Sequence, residues 1–281
     1  MNDDSYVYLL PYTCHEGEIR VKKIIEMKDI YWSRQGKEIL HDLSWQVKKG
    51  EHWAVLGLNG AGKTTLLNMI NGYIWPSKGE VSVLGNVFGQ IDIHQLRKSI
   101  GWVSSSLAEK INGRHLAEDI VVSGKFASVG LVFAEPEEAD FCRARELMEM
   151  LQVNYTYGQP YEKCSQGEKQ KILIARGLMA NPALLILDEP TTGLDFVAKE
   201  DLLHTIEKVA TSESAPTIIF VTHHIEEVLP VFSHMLLLED GTVFAQGTRG
   251  EILTSEYMSR LYNRNIQVDW YNERAWMALK D

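Results

Sequence analysis

The strongest constraint on this chain is a glycine-rich segment between an apolar strand and a helix. The segment reads G-L-N-G-A-G-K-T over residues 57–64, and Leu66, Leu67 and Ile70 give the following helix an apolar face. Glycines let such a loop turn tightly enough for successive backbone N–H groups to point at one anion, and the helix N-terminus adds partial positive charge. The spacing G-x-x-x-x-G-K-S/T in this context predicts an α/β fold and a loop that binds phosphate groups.

The end of this loop carries the side chains for phosphate chemistry. We expect the Lys63 ammonium to contact the phosphates of a nucleotide, and the Thr64 hydroxyl to bind the Mg²⁺ that accompanies the triphosphate. Backbone N–H groups of the neighbouring residues complete the phosphate site. The predicted nucleotide-binding residues of the loop are Gly57, Asn59, Gly60, Ala61, Gly62, Lys63, Thr64 and Thr65.

A second segment supplies two carboxylates at the end of a predicted strand. Residues 183–187 are all apolar, as in a strand that is covered on both faces of a parallel sheet, and Asp188 and Glu189 follow directly. In an α/β fold the carboxyl ends of such strands meet beside the phosphate loop. We expect Asp188 to hold Mg²⁺ or its water ligands, and Glu189 to act as the general base for the attacking water.

Charge and cysteine usage disfavour several other classes of protein. The formal net charge is -10 and no run of Lys or Arg forms a basic groove, so nucleic acid is not expected as a ligand. Cys14, Cys142 and Cys164 form no C-x-x-C pair, which argues against a disulfide framework or a zinc site. The first residues are acidic, and no apolar stretch reaches the roughly 18 residues of a membrane helix. We therefore expect a cytoplasmic protein, and any pore that it energises to lie on another polypeptide.

The segment between these two sites resembles the signature of one family of ATPases. Residues 164–168 read C-S-Q-G-E, directly before an amphipathic helix, and they are similar to the L-S-G-G-Q element of ABC ATPases. The resemblance implies that Ser165 and Gly167 bind the γ-phosphate of an ATP held by a second copy of the chain. A serine-capped helix start suits an anion because it offers both N–H donors and a favourable dipole. The resemblance therefore implies a homodimer that closes when ATP binds.

Two further elements follow in the order of the ABC family. The sequence T-T-G-L-D at residues 191–195 resembles the D-loop, which implies that Asp195 reaches across the dimer and couples the two sites. After the next apolar strand, His223 matches the switch histidine, which in the family contacts the γ-phosphate and positions the water. His224 stands where relatives often have Asp. The predicted catalytic residues are therefore Lys63, Glu189 and His223.

The resemblance extends over approximately residues 24–250 and implies a three-part fold. It predicts a P-loop NTPase core, with a mostly parallel sheet flanked by helices, an antiparallel β subdomain, and an inserted α-helical subdomain over about residues 96–164. The ABC ATPase domain is predicted over residues 23–254. Residues 1–22 and 255–281 are then N- and C-terminal extensions. The alternation of Ile266, Val268 and Trp270 predicts a strand in the second extension, which either docks on its own domain or offers a partner site.

One departure from the family pattern concerns the ligands of Mg²⁺. Relatives generally place a glutamine after the strand that corresponds to residues 100–103, whereas this chain has three serines at 104–106. Ser105 offers one hydroxyl oxygen with a shorter reach, so we expect a bridging water or a shifted loop. The serine-rich variant resembles a minor group of the family that includes ModF and YlmA, and it puts coupling to a membrane partner in doubt.

The residue that stacks on adenine is also irregular. Strict register places Arg34 at the position where relatives have an aromatic residue, and a guanidinium plane can stack on a base. Tyr31 and Trp32 lie close to that position and remain alternatives, although Trp32 is equally a core residue.

Three functions remain open from the sequence. The first is the ATP-hydrolysing motor of a membrane transporter, with a separately encoded permease and a location at the inner face of the cell membrane. The second is a soluble ABC ATPase that remodels or regulates a macromolecule, and the missing glutamine motivates it. The third is a module that binds ATP without turnover, against which Glu189 and His223 argue.

Overall fold

The computed structural model describes residues 22–128 and 135–280, so the predicted N-terminal extension lies outside the described residues apart from Lys22. Strands in this part of the chain form three sheets. The strands are β1 (Lys23–Arg34), β2 (Lys37–Lys48), β3 (Trp53–Gly57), β4 (Lys78–Val83), β5 (Asn86–Val87), β6 (Ile100–Ser104), β7 (Leu184–Asp188), β8 (Thr217–Thr222), β9 (His234–Glu239), β10 (Thr242–Thr248), β11 (Ile266–Tyr271) and β12 (Arg274–Leu279).

Helices cover both faces of the largest sheet. The two-turn helix α1 directly follows the glycine-rich loop, and the longest helices are α5, α6 and α7. Their bounds are α1 (Lys63–Ile70), α2 (Ile93–Lys98), α3 (Ser105–Ala108), α4 (Ala117–Ser123), α5 (Glu138–Met150), α6 (Gln166–Leu178), α7 (Phe196–Ala210), α8 (Arg249–Ile252) and α9 (Ser255–Tyr262). Among the described residues, none of the helices combines the length and apolar composition needed to span a bilayer.

The six-stranded sheet has the order β10-β9-β3-β8-β7-β6. Its strands β9, β3, β8, β7 and β6 run parallel, and β10 is an antiparallel edge strand. Apolar residues along β7 are buried on both faces, because alternate side chains belong to two separate hydrophobic clusters on either side of the sheet. Parallel pairing aligns the carboxyl ends of β3, β7 and β8, so the residues that follow these strands lie along one edge.

A four-stranded antiparallel sheet with the order β2-β1-β4-β5 packs beside this core. Strands β1 and β2 form a long hairpin whose Ile25, Met27 and Leu43 are fully or almost fully buried in the cluster shared with α1. Alternation of apolar residues in this segment predicts half-buried strands, and this prediction is confirmed. The predicted fold class, an α/β core with an antiparallel β region and helices, is likewise confirmed.

One glycine joins three parts of this architecture next to the phosphate loop. Gly241, in the turn between β9 and β10, donates its N–H to the carbonyl of Ala61 at 3.2 Å and accepts from His41 N–H at 3.1 Å. Its φ of +84° is in the left-handed region, and a Cβ atom placed there would lie 2.2 Å from the carbonyl oxygen of Ile39. A side chain is therefore excluded both by conformation and by space.

Replacing Gly241 by alanine is expected to lower the free energy of unfolding by about 3 kcal/mol. This value combines the cost of an alanine in the left-handed region with the cost of the steric overlap with Ile39. The matched control is Gly36→Ala, because Gly36 also has a positive φ but has no atom within 4 Å of the added Cβ. That variant is expected to lose only about 1 kcal/mol. Chemical denaturation measures both values, and equal losses would show that the contact with Ile39 is unimportant.

The C-terminal extension folds back onto its own chain. Strands β11 and β12 form a hairpin, and Ile266 and Ala275 are buried in the same hydrophobic cluster as α6 and α7. The strand predicted from the alternation of apolar residues corresponds to β11. Aromatic side chains of the hairpin stay partly exposed, among them Trp270 and Tyr271.

Candidate functional site

The glycine-rich loop connects β3 to α1 and exposes backbone N–H groups around the start of the helix. Gly60 and Gly62 have φ values of +88° and +97°, which only glycine adopts without strain. The Lys63 side chain is buried, and its ammonium donates to the carbonyl of Gly57 at 2.7 Å and that of Leu58 at 3.3 Å. These bonds hold the cation against the loop, where a polyphosphate provides stronger acceptors.

A polar cavity of about 510 Å³ opens above this loop. Its volume lies in the range of small-molecule sites, and both cations and carboxylates line it. The lining residues are Lys37, Ile39, Asn59, Gly60, Gly62, Lys63, Thr64, Thr65, Ser105, Asp188 and Glu189. The structure thus brings together most of the phosphate-loop residues, both carboxylates and Ser105. Lys37 and Ile39 on β2 were missed, because no sequence signal indicates that the β1–β2 hairpin borders the loop.

The two carboxylates differ in environment although they are adjacent in sequence. Burial at the end of β7, together with the charge of Glu189, raises the pKa of Asp188 to about 6, although the nearby Lys63 acts in the opposite direction. Glu189 has a φ of +50°, an uncommon value for a residue other than glycine, and its N–H donates to Val221 O at 3.0 Å. Its carboxylate lies 3.8 Å from the Lys63 ammonium.

The chemistry of this donor set fits Mg²⁺. Thr64, Ser105 and Asp188 line one cavity and offer hard oxygen donors. Within residues 22–128 and 135–280, no group of three or more His, Cys, Asp or Glu side chains is arranged to hold a metal. Mg²⁺ commonly binds through one or two carboxylates together with substrate phosphates, so this sparse set is typical of a magnesium nucleotide site.

His223 lies at the end of β8 and faces Glu189. Its Nδ1 is 3.5 Å from Glu189 Oε1, and the atom has no hydrogen-bond partner. The His224 ring packs beside it with a centroid separation of 4.1 Å. Tyr262 at the end of α9 donates its hydroxyl to the His223 carbonyl at 3.3 Å. The imidazole therefore stands next to the predicted base Glu189, although His223 is not itself among the residues that line the cavity.

A buried carboxylate that sequence reasoning missed links the loops around the cavity. Glu227 is 1% exposed, and its Oε2 accepts hydrogen bonds from the hydroxyls of Thr191 at 2.8 Å and Thr222 at 2.6 Å. The Lys199 ammonium lies 3.5 Å away. Glu227 thus joins the segment after Glu189 to the end of β8. A lone glutamate in a short turn gives no signal in the sequence.

The predicted signature segment lies at the start of α6, outside the cavity of its own chain. Ser165 is exposed; its Oγ accepts from Glu168 N–H at 3.3 Å, and Glu168 Oε2 accepts from Ser165 N–H at 2.6 Å. This capping box satisfies two backbone N–H groups at the start of the helix. Gly167 lies beside Ala198 on α7, since an added Cβ would meet that side chain at 3.5 Å.

The structure also describes Asp195, the predicted D-loop residue, and Arg34, the residue predicted to stack on adenine. Asp195 is exposed, and its carboxylate accepts from Ala198 N–H at 2.9 Å as the N-cap of α7. Arg34 ends β1 and is exposed, whereas Trp32 packs against the hydrophobic core. Neither of them, nor Tyr31, is among the residues that line the phosphate cavity. The stacking role of Arg34 therefore stays a prediction.

Comparison with known proteins gives consistent matches. The family model for ABC transporters matches residues 40–192. YlmA, an ABC transporter ATP-binding protein of Bacillus subtilis (strain 168), is 46% identical over 91% of this chain and 97% of its own length. ModF, an ABC transporter ATP-binding protein of Escherichia coli (strain K12), is 33% identical over 75% of this chain and 44% of its own length. The dimeric structure of MJ0796, a bacterial ABC transporter cassette, superimposes with a TM-score of 0.68 and 25% identity over 80% of this chain and 98% of that chain. Another structure of MJ0796 is a post-hydrolysis state bound to ADP and Pi.

Proposed function

This chain belongs to the ABC transporter family of ATP-binding proteins, and from that premise we propose that two copies close around two ATP molecules. The protein binds and hydrolyses ATP as a subunit of an ABC transporter. The observation that carries the proposal is the cavity in which Lys63, Thr64, Asp188 and Glu189 meet. ATP-driven closure then performs work on a separate partner.

Lys63 of the phosphate loop and the residues proposed to bind Mg²⁺ have distinct tasks in this proposal. Lys63 transfers its hydrogen bonds from the loop carbonyls to the phosphates. Thr64, Asp188 and Ser105 would hold Mg²⁺, which would supply positive charge that screens the triphosphate. Asp188 would bind the cation as a carboxylate, because a coordinating carboxylate is ionised.

Hydrolysis is assigned to the pair of side chains at the ends of β7 and β8. Glu189 accepts a proton from the attacking water, and its position in the cavity allows a water between its carboxylate and the γ-phosphate. His223 orients the same water and contacts the γ-phosphate, as its resemblance to the family's switch histidine implies. The distance of 3.5 Å between its Nδ1 and Glu189 Oε1 supports a shared water. Lys63 stabilises the charge that develops on the transferred group.

The second half of each site comes from the other chain. Ser165 and Gly167 are at an accessible helix start, which favours binding of a phosphate presented by a partner. Phe196 and Val197, next to Asp195, are 68% and 66% exposed, and they directly precede Ala198, which lies beside Gly167. The likeness to a dimeric cassette supports the same arrangement.

Mixing two inactive variants tests whether the sites are shared. Lys63→Met and Ser165→Glu are each expected to abolish hydrolysis, but an equal mixture should regain about a quarter of wild-type activity, because half of randomly paired dimers keep one complete site. Phosphate release measures the recovery. The matched control mixes Lys63→Met with Glu189→Gln, which damage the same half of the site and should show no recovery. Equal recovery in both mixtures, or in neither, would contradict the shared site.

A membrane permease is the proposed partner, and the protein would then act at the inner face of the cell membrane. The relatives YlmA and ModF are named as ABC transporter ATP-binding proteins, which supports this proposal. Ser105 in place of the usual glutamine favours the alternative, a soluble ABC ATPase. Purifying the tagged protein from detergent extracts, with Glu189→Gln and ATP to hold the closed form, separates the two. Recovery of a polytopic membrane protein supports the permease, and its repeated absence supports a soluble partner.

A further inference from the structure

The loop that carries His223 is short and is held from outside by the C-terminal extension. After His223 the chain makes a single 3-10 turn, Ile225–Glu227, before it reaches β9. The hairpin of β11 and β12 lies across this turn. At the start of β12, Arg274 donates from Nε to the carbonyl of Glu226 at 2.8 Å, and its Nη2 donates to the same oxygen.

The same guanidinium also binds helix α7. Arg274 Nη1 and Nη2 donate to the two carboxylate oxygens of Glu200 at 2.5 and 3.1 Å. A guanidinium is a planar fork that fits a carboxylate bidentately, so this geometry fixes the direction of the side chain as well as its distance. The Arg274 side chain is 17% exposed, which limits competition from water. One residue thus connects the turn after His223 to the helix that begins after Asp195.

A second contact from the extension reaches His223 itself. Tyr262, the last residue of α9, donates its hydroxyl to the backbone carbonyl of His223 at 3.3 Å. The Glu226 carboxylate lies 3.3 Å from His224 Nδ1 and 3.9 Å from the Lys199 ammonium. Residues 223–227, here called the switch loop, are therefore held at the backbone by Tyr262 and Arg274. The side chain of Glu226 adds contacts with His224 in the same loop and with Lys199 on α7.

We propose that Arg274 and Tyr262 are positioning residues for ATP hydrolysis, which hold the backbone of the switch loop so that the His223 imidazole stays beside Glu189. This inference rests on the proposed roles of His223 and Glu189. Neither Arg274 nor Tyr262 lines the phosphate cavity, so they act through the loop and not on the nucleotide. Displacement of a reacting group by about 1 Å can lower a rate about a hundredfold, which makes a backbone tie at this position effective.

Kinetics of Arg274→Gln and Tyr262→Phe test the proposal in the full-length protein. Each variant is expected to lower kcat at least about tenfold while KM for ATP stays within about twofold, because the loop position affects the chemical step and not nucleotide binding. Arg274→Lys should be intermediate, since lysine keeps the charge but not the fork. Unchanged kcat in both Arg274→Gln and Tyr262→Phe would overturn the proposal. The removal of one hydroxyl in Tyr262→Phe keeps the test valid if Arg274→Gln unfolds.

A matched control separates positioning from general loosening of the hairpin. Arg249 also anchors the hairpin, by donating to the carbonyl of Glu273 at 2.6 Å and by packing over Trp270, and neither of these contacts involves the turn after His223. Arg249→Gln is expected to keep wild-type kcat. A loss of kcat equal to that of Arg274→Gln would show that the hairpin matters only as a folded unit, and would overturn the proposal.

Combination with His223→Ala distinguishes this inference from the proposed function. Single-turnover reactions with enzyme in excess keep slow rates measurable. If Arg274 acts through His223, adding Arg274→Gln to His223→Ala should change the rate less than about twofold. If His223→Ala is slow and the two losses multiply, the positioning role is wrong while the catalytic assignment of His223 stands. If His223→Ala alone turns over at the wild-type rate, the catalytic assignment itself is wrong, and the positioning role fails with it.

Discussion

Replacing Glu189 by glutamine is expected to lower the rate of ATP hydrolysis about a thousandfold, because general-base catalysis contributes factors of this order. Glutamine has the same shape as glutamate and keeps a hydrogen-bonding oxygen, but it does not accept a proton from water. The left-handed backbone of Glu189, with a φ of +50°, is retained. ATP binding is expected to persist, so the variant should accumulate as a closed dimer. Steady-state phosphate release and size-exclusion chromatography with ATP measure the two effects.

The matched control for this experiment is Glu239→Gln. Glu239 also ends a strand of the same sheet, β9, but it is not among the residues that line the cavity. Its replacement is expected to leave hydrolysis within about twofold of wild type, as for most surface substitutions. Equal rates of phosphate release from the wild type and Glu189→Gln would refute the assignment of Glu189 as the base.

The second large effect is expected from Lys63→Met, which should raise the Kd for ATP about a hundredfold, or about 3 kcal/mol for charge-assisted hydrogen bonds to phosphate. Methionine has a similar length, so it keeps the apolar part of the buried side chain. The substitution removes the Lys63 ammonium, which lines the cavity, is buried in the loop and lies 3.8 Å from the Glu189 carboxylate. Isothermal titration with ATP and Mg²⁺ measures the affinity.

Loss of the ammonium also removes donors from the carbonyls of Gly57 and Leu58, so the stability of Lys63→Met has to be measured beside its affinity. Thermal unfolding without nucleotide serves that purpose. Lys49→Met, in the turn after β2 and away from the cavity, controls for the change of net charge. An unchanged affinity in a folded Lys63→Met protein would mean that the loop binds phosphate through its backbone alone.

Much of the proposed phosphate site was predictable because its residues are close in sequence. Residues 57–65 form a local motif, in which the spacing of the glycines, the lysine and the threonine suits binding of one anion. Asp188 and Glu189 were predictable for a different reason, namely that a wholly apolar strand in an α/β fold ends at the edge where the loop lies. Both predictions depend only on local pattern and on the rule for parallel sheets.

Other parts of the site were not accessible from the sequence. Lys37 and Ile39 reach the cavity only because the β1–β2 hairpin packs beside α1. Glu227 acquires its two threonine donors from segments that precede it by 36 and 5 residues. No periodicity or motif encodes such contacts, because they arise from the packing of separate elements.

The sequence by itself therefore determined the α/β architecture, the candidate phosphate loop and the two carboxylates, since these follow from local spacing and from strand burial. The family was indicated by the resemblance of its motifs to those of ABC ATPases. Only the tertiary structure decided which distant side chains surround the loop and the carboxylates. It placed His223 beside Glu189, gave Glu227 its donors and laid the C-terminal hairpin across the switch loop. The physical reason is that a buried polar group needs a partner close in space, and the chain supplies that partner from wherever folding brings it.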